Sequence, residues 1–265
     1  MNPQTETLTL DDGAITHVDF WGERGPTLLC VHGMTSSRKS WELLGLHLAD
    51  RYRVVAYDQR GHGDSAGVAG PMTLARAQRD LENVAAYLDE TPFALLGHSW
   101  GGAVVLLAGR SLSVEKVVAI DPMLHQAENR WYAEFLGDLA AIFAVSGQAR
   151  ADKVREEYAQ SSQRDGERKV HAVATMDAGV IERLRDENAP ADWDLRETVS
   201  AYPRPLLVAV AGSAESIIDP ADLALLQARG GENVRVVVFD GQDHSLHRTD
   251  FEHFTTVLDE FLEAG

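Results

Sequence analysis

Cysteine is nearly absent from this chain. Among 265 residues there is one, Cys30, and it stands in the apolar run 28–31. A disulfide framework needs at least two paired cysteines, so this class of protein is excluded. A thiol inside an apolar run is expected to be a small core residue and not a nucleophile.

Basic residues are also scarce. The chain has 24 Lys and Arg against 41 Asp and Glu, which gives a formal net charge of −17 at pH 7. Nucleic acids and anionic membranes are bound through clustered Lys and Arg. The composition therefore disfavours both kinds of partner, and we expect no nucleic acid and no membrane.

Long apolar runs and cofactor motifs are missing too. No stretch approaches the roughly 20 apolar residues of a membrane helix, and residues 1–10 lack the basic and apolar regions of a secretory signal. We expect a soluble, cytoplasmic protein, a monomer or a homodimer. No G-x-G-x-x-G follows a predicted strand and no His/Cys/Asp cluster has metal-ligand spacing, so no cofactor and no metal are expected.

Short apolar runs alternate with amphipathic segments along most of the chain. Nearly continuous apolar runs are typical of strands buried on both faces, and their alternation with helices indicates a parallel sheet with helical crossovers. The predicted strands are 27–31, 53–57, 93–96, 116–120, 205–210 and 234–239, preceded by a hairpin of 8–10 and 14–20; the predicted helices are 73–88, 100–110, 221–228 and 251–263. The pattern predicts an α/β fold with a mostly parallel central sheet of about eight strands flanked by helices.

One connection interrupts this rhythm. From 121 to 202 no strand is apparent, and a connection of this length is not expected to lack structure. We predict a helical cap at 122–202, inserted after the sixth strand into a core formed by 1–121 and 203–265. The alternative is a helical subdomain that only stabilises the sheet. Its aromatic residues would suit a pocket wall.

The strongest motif for chemistry surrounds Ser99. The sequence Gly97-His98-Ser99-Trp100-Gly101 follows a predicted strand and precedes a predicted helix. A nucleophile on so sharp a turn needs small residues two positions away on each side, and both are glycine here. The helix N-terminus adds a positive dipole near Ser99. The alternative is a glycine-rich turn with an incidental serine.

Two further loops complete the expected chemistry. Acyl transfer develops negative charge on an oxygen, and the backbone N–H groups of Met34 and Trp100 are the candidates to stabilise it. His244 follows the last predicted strand and is the expected base for Ser99. His247 is a competitor, expected at the start of the final helix. His32 is interpreted as a residue that orders its loop.

These motifs, in this order, resemble the α/β-hydrolase family. The matching stretches are Val31-His32-Gly33, Asp58-Gln59-Arg60-Gly61-His62-Gly63-Asp64-Ser65, Gly97-His98-Ser99-Trp100-Gly101 and Asp243-His244. The resemblance implies a nucleophile–acid–histidine triad and a cap over the active site. It also implies that the 58–65 loop is mainly structural, with Asp58 and Arg60 holding it.

The acid of the triad is the point where this chain departs from the family pattern. The resemblance places the acid after the strand before last, where Glu215 occupies the matching position, and Glu215 is the expected acid. Asp121 is the serious rival, because some members take the acid from the end of the preceding strand. Asp219 precedes Pro220 and is typical of a helix N-cap. Asp243 adjoins the base, so its side chain is expected to point elsewhere.

The expected function is hydrolysis of a small to medium carboxylic ester, lactone or thioester through an acyl-enzyme on Ser99. The alternatives are a C–C bond hydrolase or perhydrolase with the same triad, and a non-catalytic small-molecule receptor, since fold does not settle function. Residues expected to line the substrate pocket are His32, Gly33, Met34, Trp100, Met123 and Trp131.

Overall fold

A computed structural model describes residues 2–67, 70–125, 139, 141–157, 163–176, 179–189 and 193–264. In these ranges the strands, β1 to β8 in chain order, are Gln4–Thr9, Ile15–Trp21, Thr27–Val31, Arg53–Tyr57, Ala94–His98, Lys116–Ile120, Leu206–Gly212 and Val234–Asp240. The helices, α1 to α10, are Glu42–Leu48, Leu74–Tyr87, Trp100–Ser111, Gly147–Glu157, Gln163–Thr175, Gly179–Asn188, Arg196–Ser200, Pro220–Arg229, Leu246–Thr249 and Phe251–Glu263. Short 3₁₀ turns occur at Arg38–Trp41 and Gly63–Ser65.

All eight strands form one sheet in the order β1-β2-β4-β3-β5-β6-β7-β8. β1 and β2 pair antiparallel, β2 also pairs antiparallel with β4, and every pair from β4 to β8 is parallel. This confirms the predicted α/β class and the mostly parallel sheet. Because the carboxyl ends of parallel strands meet at one edge, the loops after β3, β5, β6, β7 and β8 converge there.

The sheet is buried on both faces. Leu29 and Leu95 belong to one apolar cluster, whereas Leu28 and Leu96, one position away on the same strands, belong to another. Successive strand residues point to opposite faces, so each strand contributes to both cores. Cys30 lies fully buried in the second cluster as a free thiol, and burial raises its pKa far above the usual range. Its interpretation as a core residue is confirmed.

Helices α4 to α7 lie between β6 and β7 in the chain, where the helical insertion was predicted. The side chain of Lys169 in α5 contacts Thr35, and that of Arg168 contacts Glu42. The predicted pocket residue Trp131 lies outside the described residues. In the described part of the chain, no helix is both long and apolar enough to cross a membrane.

The 58–65 loop is held by a buried charge network. Asp58 is fully buried, accepts hydrogen bonds from the backbone N–H groups of Arg38 (2.8 Å) and Asp64 (2.9 Å), and forms an ion pair with the Arg38 guanidinium. Arg60 donates through Nε to Asp80 at 2.6 Å. Both loop residues are occupied by structural contacts, as the family resemblance implies.

Candidate active site

Ser99 occupies a strained turn between β5 and α3. Its φ is 56° and its ψ −119°, a left-handed conformation that a side-chain-bearing residue rarely adopts. A Cβ on Gly97 would collide with the carbonyl of Gly101, and one on Gly101 would collide with the carbonyl of Val31. The two glycines of the motif are therefore required for the serine to stand on this turn.

Residues with strained backbone conformations occur in the loops next to Ser99. Among the described residues, the non-glycine positions with positive φ are Thr35, Ser99 and Asp121, in the loops after β3, β5 and β6. Asp121 at φ 39° is held by its N–H, which donates to the carbonyl of Ala209 at 2.7 Å. Strained residues of this kind cluster at active sites, where the surrounding structure fixes them.

The carboxylate that contacts His244 is that of Asp121. Its Oδ2 lies 2.6 Å from Nδ1 of His244, and Asp121 is fully buried. The expectation that Glu215 orients the histidine is wrong, because Glu215 is exposed and its backbone N–H donates to Ser213 Oγ. The rival position Asp121 takes this place.

The end of β7 and the loop after it support Asp121, and neither supplies the carboxylate that contacts His244. Asp121 Oδ1 accepts hydrogen bonds from the N–H of Ala211 (3.1 Å) and the hydroxyl of Ser216 (2.8 Å), and Oδ2 accepts from the N–H of Ile217 (3.1 Å). These hydrogen bonds fix the position of the carboxylate beside His244. The segment in which Glu215 was expected to be the acid therefore presents donors to the acid of the neighbouring strand.

The other two carboxylates take the local roles that the sequence predicts. Asp219 caps α8, since its Oδ1 accepts the N–H of Asp222 at 2.8 Å. The Oδ1 of Asp243 accepts the N–H of Ser245 at 2.7 Å, so its side chain is engaged by the local backbone. Because Asp219 is engaged as the N-cap of α8, it is not the carboxylate that contacts His244.

Met34 and Trp100, whose backbone N–H groups are the predicted oxyanion donors, both lie close to Ser99. A Cβ on Gly33 would lie 3.0 Å from Ser99 Cβ, which puts the start of the β3 loop against the nucleophile. Trp100 is the first residue of α3, whose first N–H groups have no partner within the helix. Within the described ranges, neither N–H donates to another protein group.

His32 orders this loop through both ring nitrogens. The ring is fully buried, with Nδ1 2.8 Å from the carbonyl of Gly33, and Nε2 accepting the N–H of Gln59 at 3.0 Å. Burial lowers the pKa of His32 to about 4, so it stays neutral. Its interpretation as a loop-ordering residue holds, and the additional expectation that it lines the pocket is wrong.

His98 is a neighbour of His244 that sequence reasoning missed. It is buried, its ring centroid lies 4.5 Å from that of His244 and 4.6 Å from that of His247, and its Nε2 lies 2.8 Å from the carbonyl oxygen of His244. Burial, and secondly the imidazole of His244, holds the pKa of His98 well below its usual range. Its position directly before Ser99 was the available signal.

His247 lies in the separate short helix α9, not at the start of the final helix as expected. Burial, and then the charge of Arg248, holds its pKa well below the usual range. Its ring packs on Trp41 at 5.3 Å and on His98. This buried position makes His247 a packing residue and leaves His244 as the histidine against Asp121.

Comparison with known proteins agrees with this geometry. A model of the alpha/beta hydrolase family matches residues 28–253. This span includes the Ser99 turn, Asp121 and His244. The chain belongs to the alpha/beta hydrolase family.

Curated relatives of this hydrolase differ in how much of the chain they match. It is 29% identical over 257 residues to 2-(acetamidomethylene)succinate hydrolase of Mesorhizobium japonicum, covering 91% of this chain and 89% of that protein. It is 35% identical over 117 residues to the magnesium-chelatase 30 kDa subunit of Rhodobacter capsulatus, covering 42% and 41%. Among solved structures, an esterase from Exiguobacterium antarcticum superposes with a TM-score of 0.78 at 19% identity, covering 97% of this chain and 99% of that one. At this identity the likeness shows the fold.

A small cavity lies beside Trp100. It is lined by Gln59, Arg60, His62, Met72, Thr73, Ala77, Asp80, Trp100 and Leu184. Trp193, in the insertion, meets Trp100 edge to face at 6.0 Å. Met123 is buried, and its N–H donates to the carbonyl of Ser99 at 3.0 Å. The predicted pocket residues Trp100 and Met123 therefore both adjoin the nucleophile.

One cluster has the composition of a metal site. Ligand atoms of His125, Asp219 and Asp222 lie within 4.8 Å of one another. His125 Nε2 is 2.7 Å from Asp222 Oδ2, Arg196 is 3.3 Å from Oδ1 of the same carboxylate, and Asp219 is occupied as the α8 N-cap. His125 and Arg196, which lie between β6 and β7 in the chain, thus both contact the Asp222 carboxylate on α8. The cluster therefore links this part of the chain to α8.

Proposed function

We propose that this protein is a serine hydrolase that cleaves small to medium carboxylic esters, lactones or thioesters through an acyl-enzyme. His244 takes the proton of the Ser99 hydroxyl while Oγ attacks the acyl carbon. The carbonyl π electrons move to oxygen, and the N–H groups of Met34 and Trp100 stabilise that oxyanion. The leaving group departs with the proton from His244, and water then releases the acid by the same steps.

The observation that carries this proposal is the hydrogen bond between Asp121 and His244 beside the Ser99 turn. A buried carboxylate on Nδ1 selects the tautomer with a free Nε2 lone pair and stabilises the imidazolium that forms. The three donors on Asp121 fix the orientation of that carboxylate toward His244. A small-molecule receptor would not need this support, which favours an enzyme.

Hydrolysis of an N-acyl group is a second candidate. One relative that covers 91% of this chain is named as a hydrolase of 2-(acetamidomethylene)succinate, a molecule with an acetamide and carboxylates. The same acyl-enzyme chemistry applies when the leaving group is a nitrogen. The amide route demands more of His244 as an acid, because an amine is the poorer leaving group.

A fluorophosphonate probe tests the nucleophile, and a panel of matched acetyl esters, thioesters, lactones and amides tests the substrate class. We expect one label per chain on Ser99, which is lost in Ser99→Ala together with turnover. Ser111→Ala, a serine at the exposed end of α3, is the control and should keep both. Absence of label and of turnover across the panel would indicate the receptor alternative.

A further inference from the structure

The loop that carries the oxyanion candidate Met34 contains a strained residue, Thr35. Its φ is 55°, and the residue is fully buried. A positive φ is unfavourable for a β-branched residue, because the branched side chain crowds its own backbone. Such a conformation persists only where neighbouring groups hold it. The peptide plane between Met34 and Thr35 turns with the φ of Thr35, so a group that fixes Thr35 also fixes the backbone of Met34.

The group that contacts the Thr35 hydroxyl comes from the insertion. Nζ of Lys169, on α5, donates a hydrogen bond to Oγ1 of Thr35 at 2.5 Å, and the two residues are 134 positions apart in the chain. Among the described residues, no other hydrogen bond joins residues 33–36 to a different helix or strand. The strained turn therefore depends on the insertion for this contact.

Neighbouring contacts of α5 keep Lys169 in register with the loop. Nη2 of Arg168 donates to Glu42 on α1 at 2.5 Å. His171 Nε2 lies 3.1 Å from Nζ of Lys39, in the first 3₁₀ turn. Both of these core residues follow Thr35 closely in the chain. One turn of α5 thus lies along the segment that begins with the Met34 loop, and the position of the insertion is coupled to that of the loop.

We propose that Thr35 and Lys169 are positioning residues for the oxyanion. Through Lys169 the insertion holds the left-handed turn at Thr35, and thereby the N–H of Met34 beside Ser99. A donor that is fixed before the reaction stabilises the developing charge without a cost of reorganisation. Because this stabilisation acts in the transition state, its loss lowers kcat and leaves KM nearly unchanged. This inference rests on the proposed hydrolase function.

Two variants remove the contact from either side with little change in shape. Thr35→Val replaces the hydroxyl by a methyl group, and Lys169→Met keeps an unbranched chain without the ammonium. Each should lower kcat for an activated ester by about tenfold, the effect of one hydrogen bond, with KM within about twofold of wild type. Because both remove the same contact, the double variant should also lose only about tenfold. Thr35→Ser keeps the hydroxyl and should retain most of the activity.

An arylboronic acid supplies a readout besides turnover. It adds to the serine hydroxyl and forms a tetrahedral centre with an oxygen in the place of the oxyanion. Its inhibition constant should rise by about tenfold in Thr35→Val and in Lys169→Met, in parallel with the loss of kcat. A contact that only fastens the insertion to the core would instead lower the melting temperature and leave boronate inhibition as in wild type.

Glu42→Gln is the matched control, since it weakens the contact of the adjacent Arg168 with α1 and leaves Thr35 untouched. It should keep wild-type kcat and boronate inhibition. If Thr35→Val and Lys169→Met also keep them, or if Glu42→Gln loses as much as they do, the positioning role is overturned while the hydrolase stands. Losses that multiply in the double variant contradict it too. If wild type is neither labelled by the fluorophosphonate nor active on any ester, the hydrolase proposal itself fails, and the positioning role fails with it.

Discussion

Asp121 Oδ2 lies 2.6 Å from His244 Nδ1, and the two residues follow strands β6 and β8 with β7 between them. The carboxylate reaches the histidine across the end of β7, whose following loop supplies its hydrogen-bond donors. Ser99 N–H donates to the carbonyl of Ile120 at 2.9 Å, so nucleophile and acid come from directly paired strands. The Ser99 turn is thus hydrogen-bonded to the residue directly before Asp121.

Asp121→Asn should lower kcat by a factor of thousands without unfolding the protein. An amide in this place no longer stabilises the imidazolium and favours the wrong tautomer, a change that costs about 10⁴ in kcat in a worked protease example. Glu215→Gln, on an exposed side chain, is the matched control and should stay within about twofold of wild type. Steady-state kinetics of both variants on one ester tests this prediction. A large loss of kcat in Glu215→Gln and a small one in Asp121→Asn would show that Glu215 is the acid.

Ser216→Ala should reduce kcat/KM by roughly five- to tenfold, because one hydrogen bond of about 1 kcal/mol to the Asp121 carboxylate is lost. Ser213→Ala is its control, since the Ser213 hydroxyl accepts only from the Glu215 backbone in the described part of the chain. Equal activity of the two variants would contradict a supporting role for the loop after β7.

His98 should act as a positioning residue for the base. His98→Leu removes the donor to the His244 carbonyl and is expected to lower kcat about tenfold with little change in KM, whereas His98→Gln restores a donor and should recover most of the loss. A general packing defect would instead lower the melting temperature of both variants and leave their kcat values alike. Kinetics and thermal unfolding of the pair separate these results.

Acidification below about pH 6.5 should destabilise the fold through its buried histidines. Burial lowers the pKa of His62 to about 3 and that of His32 to about 4, against 6.5 in the unfolded chain. Between the folded and unfolded pKa values, each histidine is protonated in the unfolded chain and neutral in the folded chain. The free energy of unfolding therefore falls by about 1.4 kcal/mol per pH unit for each histidine, and these groups have no effect above pH 6.5.

Urea unfolding at pH 6 and pH 5 measures this slope. His62→Gln should reduce it by about 1 kcal/mol per pH unit. His47→Gln, an exposed histidine on α1, should leave the slope as in wild type. An unchanged slope in His62→Gln would show that this histidine protonates in the folded protein.

The residue sequence alone was enough to predict the α/β class, the strands and the Ser99 turn. Each rests on a local property: apolar runs with no polar face can be satisfied only between two helical layers, and the strained turn tolerates only glycine at positions 97 and 101. The N-cap role of Asp219 was likewise predictable from its neighbour Pro220, whereas the loop-holding roles of Asp58 and Arg60 were implied by the family resemblance.

The identity of the carboxylate at His244 was decided by tertiary structure. Asp121 and Glu215 both follow parallel strands that end at the same edge, so motif spacing cannot rank them. Burial and long-range hydrogen bonds distinguish the two carboxylates. Asp121 gains donors from residues about 90 positions later in the chain, while Glu215 faces water.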